Sequence, residues 1–194
     1  MSRLRIGVLV SGGGSNLQAI LDAASDPSCG FLVSAVISNV EGVRALARAR
    51  AAGVASVVVE PHEARTRANF ESAVHAHLLA ARVELIALAG FMRVLTPWFI
   101  ERWPRKIVNV HPALCPAFPG MHAARQALEH GVKITGCTVH LVDAGVDTGP
   151  ILAQAAVAVL EGDDESTLQA RIQREEHRLL PDVLARLARG AQES

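Results

Sequence analysis

The chain has 194 residues, half of them apolar, which suits one domain of the usual ~100 to 200 residues with a full hydrophobic core. Lys and Arg total 19 and Asp and Glu total 19, so no net field is present to hold nucleic acid or an acidic membrane surface. Cys29, Cys115 and Cys137 are odd in number, widely spaced and form no zinc or redox pair, and the short apolar run after Arg5 is too brief for a signal peptide or a membrane span. A cytoplasmic protein occupying 1–194 as a single domain is therefore expected.

Leu4 to Val10 is aliphatic and β-branched and ends in Ser11-Gly12-Gly13-Gly14-Ser15, after which Asn16 to Ala24 has apolar residues at helical spacing. That predicts strand, glycine turn and helix. Val33 to Ser38 predicts a strand, Val43 to Ala52 an alanine-rich helix stopped by Gly53, and Ser56 to Val59 a third strand. Ala64 to Ala81 predicts a long helix and Leu85 to Ala89 a buried strand. A connection from Pro97 to Pro104 leads to a strand at Ile107 to His111. This alternation argues for an α/β fold, a mostly parallel Rossmann-like sheet with helices on both faces, whose ligands sit beyond the carboxyl ends of the strands. Further on come a helix at Ala123 to His130 and strands at Ile134 to Val142 and Ile151 to Val159. The tight loop between those strands, Asp143 to Pro150, implies that one of them runs antiparallel. The tail from Glu165 to Arg189 reads as an amphipathic helix interrupted at Pro181, and no repeat, low-complexity tract or linker is present.

The glycine loop stands between the first strand and the first helix, where backbone N–H groups and the helix dipole can bind a phosphate. It lacks the Lys of a P-loop, Leu17 stands where a dinucleotide motif needs its third glycine, and Ser38-Asn39 lacks the acidic residue that holds an adenine ribose. A nicotinamide cofactor is unexpected and a phosphate monoester fits better. The plain alternative is a tight turn that binds nothing.

In Ile107-Val108-Asn109-Val110-His111 the period of two puts Asn109 and His111 on one face, roughly 6 to 7 Å apart. Pro112 ends the strand there, at the edge where such sheets bind ligands. An amide and an imidazole on an aliphatic strand are either a paired core couple or a site. Asp147 lies on a glycine-rich turn that can return to the same edge, or is an ordinary turn aspartate.

On these residues the chain resembles the folate-dependent formyltransferase family over nearly its whole length. The stretches that carry the resemblance are Ser11-Gly12-Gly13-Gly14-Ser15-Asn16-Leu17-Gln18-Ala19-Ile20, Ala89-Gly90-Phe91-Met92-Arg93-Val94-Leu95, Asn109-Val110-His111-Pro112, Pro119-Gly120-Met121-His122-Ala123 and Val146-Asp147-Thr148-Gly149-Pro150. The resemblance implies transfer of a formyl group from 10-formyltetrahydrofolate, a co-substrate, with no metal. The length and the Ser-Gly-Gly-Gly-Ser-Asn loop together favour glycinamide ribonucleotide as acceptor. A 10-formyltetrahydrofolate hydrolase, or a formyltransferase acting on another amine, is the alternative. By resemblance, Asn109, His111 and Asp147 are catalytic, with donors for a tetrahedral oxyanion and a path for the proton. Gly14, Ser15 and Asn16 would hold the phosphate and Glu176 the ribose. Met92, Arg93, Val94, Leu95, Asp143, Asp147 and Asn109 would form the folate pocket, with Arg67, or Arg65 in its place, at the folate tail. Read alone, the Met92 to Leu95 run is core and turn, and Glu176 belongs to a charge run that usually faces solvent. Cys115 and Ala117 depart from the family pattern.

Three other readings compete. A thiol hydrolase would use Cys115, His111 and Asp147; a metal hydrolase would use His111, His122, His140 and Asp147; a sensor of a phosphorylated metabolite would use the glycine loop alone. Small-molecule partners and a monomer or homodimer are expected.

Overall fold

The computed structural model describes residues 3–61 and 66–192. The aliphatic runs form seven strands: β1 (Leu4–Val10), β2 (Phe31–Ser38), β3 (Ser56–Val58), β4 (Leu85–Leu88), β5 (Ile107–His111), β6 (Ile134–Leu141) and β7 (Ile151–Ala158). They make one sheet in the order β3-β2-β1-β4-β5-β6-β7. The pairs from β3 across to β5 are parallel, β6 is antiparallel to both neighbours, and β7 returns to the direction of β5. The order reverses between β1 and β4, which opens a crevice beyond their carboxyl ends.

Helices cover both faces, because the central strands are apolar on both sides. On one face α1 (Ser15–Ala24), α2 (Arg44–Ala51), α5 (Ala123–Glu129) and α6 (Glu165–Gln192) pack on Ile6, Val8 and Val10. On the other, α3 (Arg67–Ala80) and α4 (Pro97–Arg102) pack on Leu9, Ile37, Ile86 and Leu88. Residues of β1 thus alternate between two cores with the period of two that a strand imposes. Leu17 and Ile20 of α1 are fully buried, each contributing roughly 1.5–3 kcal/mol.

Most predicted boundaries agree with the observed ones to within one or two residues. Four features differ. The Pro97 to Pro104 connection contains α4, since Pro97 at its first position presets the helical φ and Phe99 is buried beneath it. The tail helix is not interrupted at Pro181 but runs through it. Leu179 and Leu180 before the proline, and Val183, Leu184 and Ala188 after it, are all buried, so packing outweighs the loss of one N–H. The third helix begins at Arg67, where the Thr66 hydroxyl accepts from Asn69 N; Ala64 and Arg65 lie outside the described residues. A short 3-10 turn at Pro27–Cys29 was also absent from the sequence reading. No helix among the described residues is long and apolar enough to cross a membrane.

Candidate active site

β5 delivers Asn109 and His111 to the sheet edge on one face, and its antiparallel pairing with β6 sets His140 directly opposite Asn109. The loop after β6 brings Asp147 back to the same place. Its Oδ2 lies 3.2 Å from His111 Nδ1 and accepts the Gly120 N–H at 2.9 Å. Its Oδ1 lies 3.4 Å from Asn109 Nδ2 and 3.5 Å from His140 Nε2. Asn109 Nδ2 is also 3.2 Å from His140 Nε2. His111 Nε2 stands 2.8 Å from the Phe118 carbonyl. Both ring nitrogens of His111 therefore face oxygen acceptors, and a ring protonated on both nitrogens donates to each. His111 and His140 are buried, with 4% and 2% exposure.

The charges in this cluster reinforce one another. Burial alone would lower the pKa of His140, but its hydrogen bonds to Asp147 and the Leu141 carbonyl, with the charges of Asp147 and Asp143, raise it above 6.5 on balance. For Asp147 burial pulls upward. The hydrogen bonds from His140 and Gly120, and the charges of His111 and His140, outweigh it and hold the carboxyl below 3.8. Among the described residues only five non-glycine positions have left-handed φ, and three of them, Phe118, His122 and Asp147, belong to these loops. Such backbone strain is held where surrounding contacts over-determine it.

The cluster floors a cleft of about 510 Å³, inside the ~300–1,000 Å³ span of small-molecule sites. One wall is the loop after β4, including Met92, Arg93, Val94 and Leu95; the other carries Asp143, Val146 and Asp147. The backbone groups of Arg93, Val94 and Leu95 have no hydrogen-bond partner among the described residues, so they are free to pair with a ring edge. Opposite, Asp143 Oδ1 accepts from Gly145 N at 3.0 Å and Thr148 Oγ1 at 2.7 Å, which folds its loop back on itself. Gly149 ends that loop where a Cβ would lie 1.8 Å from the Leu141 carbonyl, so only glycine fits.

The glycine loop borders this cleft without lining it. Gly14 has φ +71°, and a Cβ there would stand 2.7 Å from Ala45 Cβ. The Gly12 carbonyl accepts from Ala45 N and the Gly13 carbonyl from Arg48 Nε, so α2 clamps the loop. The first turn of α1, with Ser15 and Asn16, has no side-chain cap and stays open to an anion. Ser11 Oγ donates to Asn39 Oδ1 and accepts from Met92 N at 2.8 Å, joining this loop to the cleft wall. Glu176 reaches the same corner from α6. It is only 3% exposed, and its Oε2 accepts from Asn16 Nδ2 at 2.9 Å. Burial raises its pKa above 4.5 against the opposing effect of that bond. Asn16 Oδ1 is buried with no partner among the described residues.

Residues 4–184 match the family model described as formyl transferase. This chain belongs to the formyl transferase family. It is 46% identical over 184 residues to the phosphoribosylglycinamide formyltransferase of Mycobacterium tuberculosis, covering 95% of this chain and 85% of that one. It is 50% identical over 191 residues to the trifunctional purine biosynthetic protein adenosine-3 of Drosophila pseudoobscura pseudoobscura, covering 97% of this chain but only 14% of that protein. The crystal structure of glycinamide ribonucleotide transformylase 1 from Symbiobacterium toebii shares the fold with a TM-score of 0.95 at 49% identity, over 97% of this chain and 89% of that one. The phosphoribosylglycinamide formyltransferase of Brucella melitensis gives a TM-score of 0.92 at 44% identity, over 96% of each chain. A formyl transferase implies a folate-derived formyl donor.

Within this formyl transferase, Asn109, His111 and Asp147 meet in one cluster, and Met92 to Leu95 and Asp143 line the cleft above it. Gly14, Ser15, Asn16 and Glu176 form the neighbouring corner. Glu176 does not join the solvated face expected of its charge run; Glu175 pairs with Arg178 outside while Glu176 turns inward. Arg67 is exposed at the start of α3 and does not line the cleft. Arg65 lies outside the described residues. His140, grouped with His111 and Asp147 in the sequence only as a metal ligand, enters the cluster as a hydrogen-bond partner, and the carbonyl of Phe118 enters it unforeseen. Thr138 and His140 alternate on one face of an aliphatic strand, a usable signal, but the antiparallel register that places them could not be read from the sequence. Cys115 is buried, burial raises its pKa, and neither nitrogen of His111 faces it. Among the described residues no group of three or more His, Cys, Asp or Glu could hold a metal ion.

Proposed function

We propose that this formyl transferase moves the formyl group of 10-formyltetrahydrofolate onto the amine of glycinamide ribonucleotide, as one catalytic unit of 1–194 acting in the cytoplasm on small molecules. The observation that carries the reading is the cluster of Asn109, Asp147 and the buried His111 beneath a cleft walled by backbone groups that have no partner among the described residues. The names of relatives that this chain covers over 85% or more of their length support the choice of acceptor. The folate supplies an activated formyl group and a nitrogen leaving group.

In this reading the amine lone pair attacks the formyl carbon and the carbonyl electrons move to oxygen. Asn109 Nδ2 and an N–H of His111 are the donors for that negative charge. Asp147, held on two sides by His111 and the Gly120 N–H, fixes the orientation of the imidazole ring. As the adduct collapses, the carbon–nitrogen bond to the folate breaks. A proton passes from the attacking nitrogen to the departing one through water near Asp147. The open turn of α1 takes the ribose phosphate and Glu176 the ribose, so both substrates are positioned before reaction. Donor binding breaks the contact between His111 and the Phe118 carbonyl, which occupies the proton meant for the formyl oxygen.

The test is a spectroscopic assay of the purified protein with a 10-formylfolate analogue, with and without glycinamide ribonucleotide. Release of deformylated folate that requires the ribonucleotide supports transfer. Release without any amine makes the protein a formylfolate hydrolase, and no release in either tube overturns the enzymatic reading.

A further inference from the structure

Glu71 is a buried carboxylate, 1% exposed, on the opposite face of the sheet from the glycine loop and outside the reaction described above. Its Oε1 accepts from Thr96 N at 2.8 Å and its Oε2 from the Thr96 hydroxyl. No Lys, Arg or His ion pair reaches it among the described residues. Thr96 occupies the N-cap of α4, where a threonine ordinarily accepts a bond from the helix's own first turn. It makes no such bond here, because its hydroxyl is turned to Glu71. The preceding residue, Phe70, lies under the Arg93 guanidinium at 4.9 Å. Two consecutive residues of α3 thus hold the loop whose unpaired backbone groups wall the cleft. At its other end that loop is tied by Met92 N to Ser11 Oγ.

We propose that Glu71 is a positioning residue for the folate side of the cleft, holding residues 92–95 in the geometry that receives the ring of the formyl donor; this rests on the formyl-transfer reading. Between its two ties the loop makes no backbone hydrogen bond among the described residues, so its shape depends on the ties and on the burial of Leu95. A loop held in its binding shape loses little freedom when ligand arrives, and a loosened one must be ordered by the ligand. The effect therefore falls on donor affinity and spares the chemical step and the amine.

Glu71→Gln keeps an oxygen for Thr96 N and turns an amide N–H₂ to the Thr96 hydroxyl, which must reverse to accept, so two bonds to a carboxylate become two weaker bonds to an amide. Thr96→Val removes the hydroxyl and leaves the Glu71 carboxylate, and it carries the test should Glu71→Gln fail to fold. Steady-state kinetics in both substrates and calorimetric binding of a non-reactive folate analogue are measured together. The expected result is a rise in donor KM and analogue Kd in each variant, about tenfold where Thr96→Val loses its bond and a few-fold where Glu71→Gln only weakens both. The kcat at saturation and the amine KM stay within about twofold, and Thr96→Ser behaves as the parent. Unchanged donor KM with reduced kcat, or equal rises in both KM values, would mark a merely structural role and overturn the proposal. A parent protein that binds the analogue but transfers nothing defeats the transfer reading alone, and the Kd ratios still decide Glu71. A parent that binds no folate defeats both.

Discussion

Asp147 Oδ2 faces His111 Nδ1 across 3.2 Å while the other nitrogen of the same ring meets the Phe118 carbonyl, so the imidazole is fixed at both ends. A ring held this way has one orientation. Removing the ring in His111→Ala, or the carboxylate charge in Asp147→Asn, should lower kcat about 10²- to 10⁴-fold, the usual span for a positioned acid or base. Both KM values should change far less. Rates at saturating substrate check this, and a kcat within threefold of the parent would remove either residue from the chemistry.

The buried Glu176 makes a pH prediction of definite sign. Its folded pKa is raised above the 4.5 of an exposed glutamate, so the folded protein keeps a proton that the unfolded chain gives up. Stability from this group is complete below pH 4.5 and falls as pH rises through the folded value. Glu176→Gln, which still offers an oxygen to Asn16 Nδ2, should remove that decline. Urea denaturation of both proteins across pH 4 to 8 should show the variant gaining on the parent as pH rises. A constant difference would contradict the assignment. At the same time the KM for the ribonucleotide should rise.

Gly14 joins a left-handed φ to contact with α2. Gly14→Ala adds backbone strain and a methyl group 2.7 Å from Ala45 Cβ, and should cost about 1–3 kcal/mol in denaturant unfolding. The same change should weaken ribonucleotide binding more than folate binding. Gly12 provides the comparison, since a Cβ there meets nothing within 4 Å and its φ is not left-handed. Equal losses at the two positions would refute the steric account.

Cys115 is expected to be dispensable for turnover. Its backbone N–H bonds to Thr138 Oγ1, and its carbonyl accepts from Gln154, so it serves as a small buried hydrophobe between strands and loop. Cys115→Ala should retain transfer within a few-fold, with alkylation of the native protein slow at this thiol. A dead, well-folded variant would instead revive nucleophilic catalysis.

Much of the fold was legible because a parallel sheet needs unbroken aliphatic strands and helices that alternate with them; β1 and β5 have the observed bounds. What local pattern could not supply was tertiary context. Pro181 looks like a stop when only its missing N–H is considered, and becomes tolerable once five apolar neighbours are seen buried around it. The Asn109 and His111 pair was readable from a period of two. The partnership of His140 with Asp147 was not, because it depends on the antiparallel register of β6 against β5. Glu176 stands in a run of charges, but it lies four residues after Ile172 and four before Leu180, both buried, so helical spacing was the signal that marked it as inward. Arg67 was placed by resemblance; it is exposed at the start of α3 and is not among the residues that line the cleft.

The unbroken α6 carries Glu165 at the cleft rim, where it pairs with Arg125 at 2.7 Å, and Glu176 beside Asn16. Eleven residues of α-helix advance about 16 Å and complete roughly three turns, so both side chains leave the same side of one stiff rod. The helix thereby acts as a gauge between the rim and the phosphate corner. Inserting or deleting a single residue between them would swing one end by about 100° and change the gap by about 1.5 Å. Point substitutions along this stretch can vary freely on its outer side, whereas its residue count cannot.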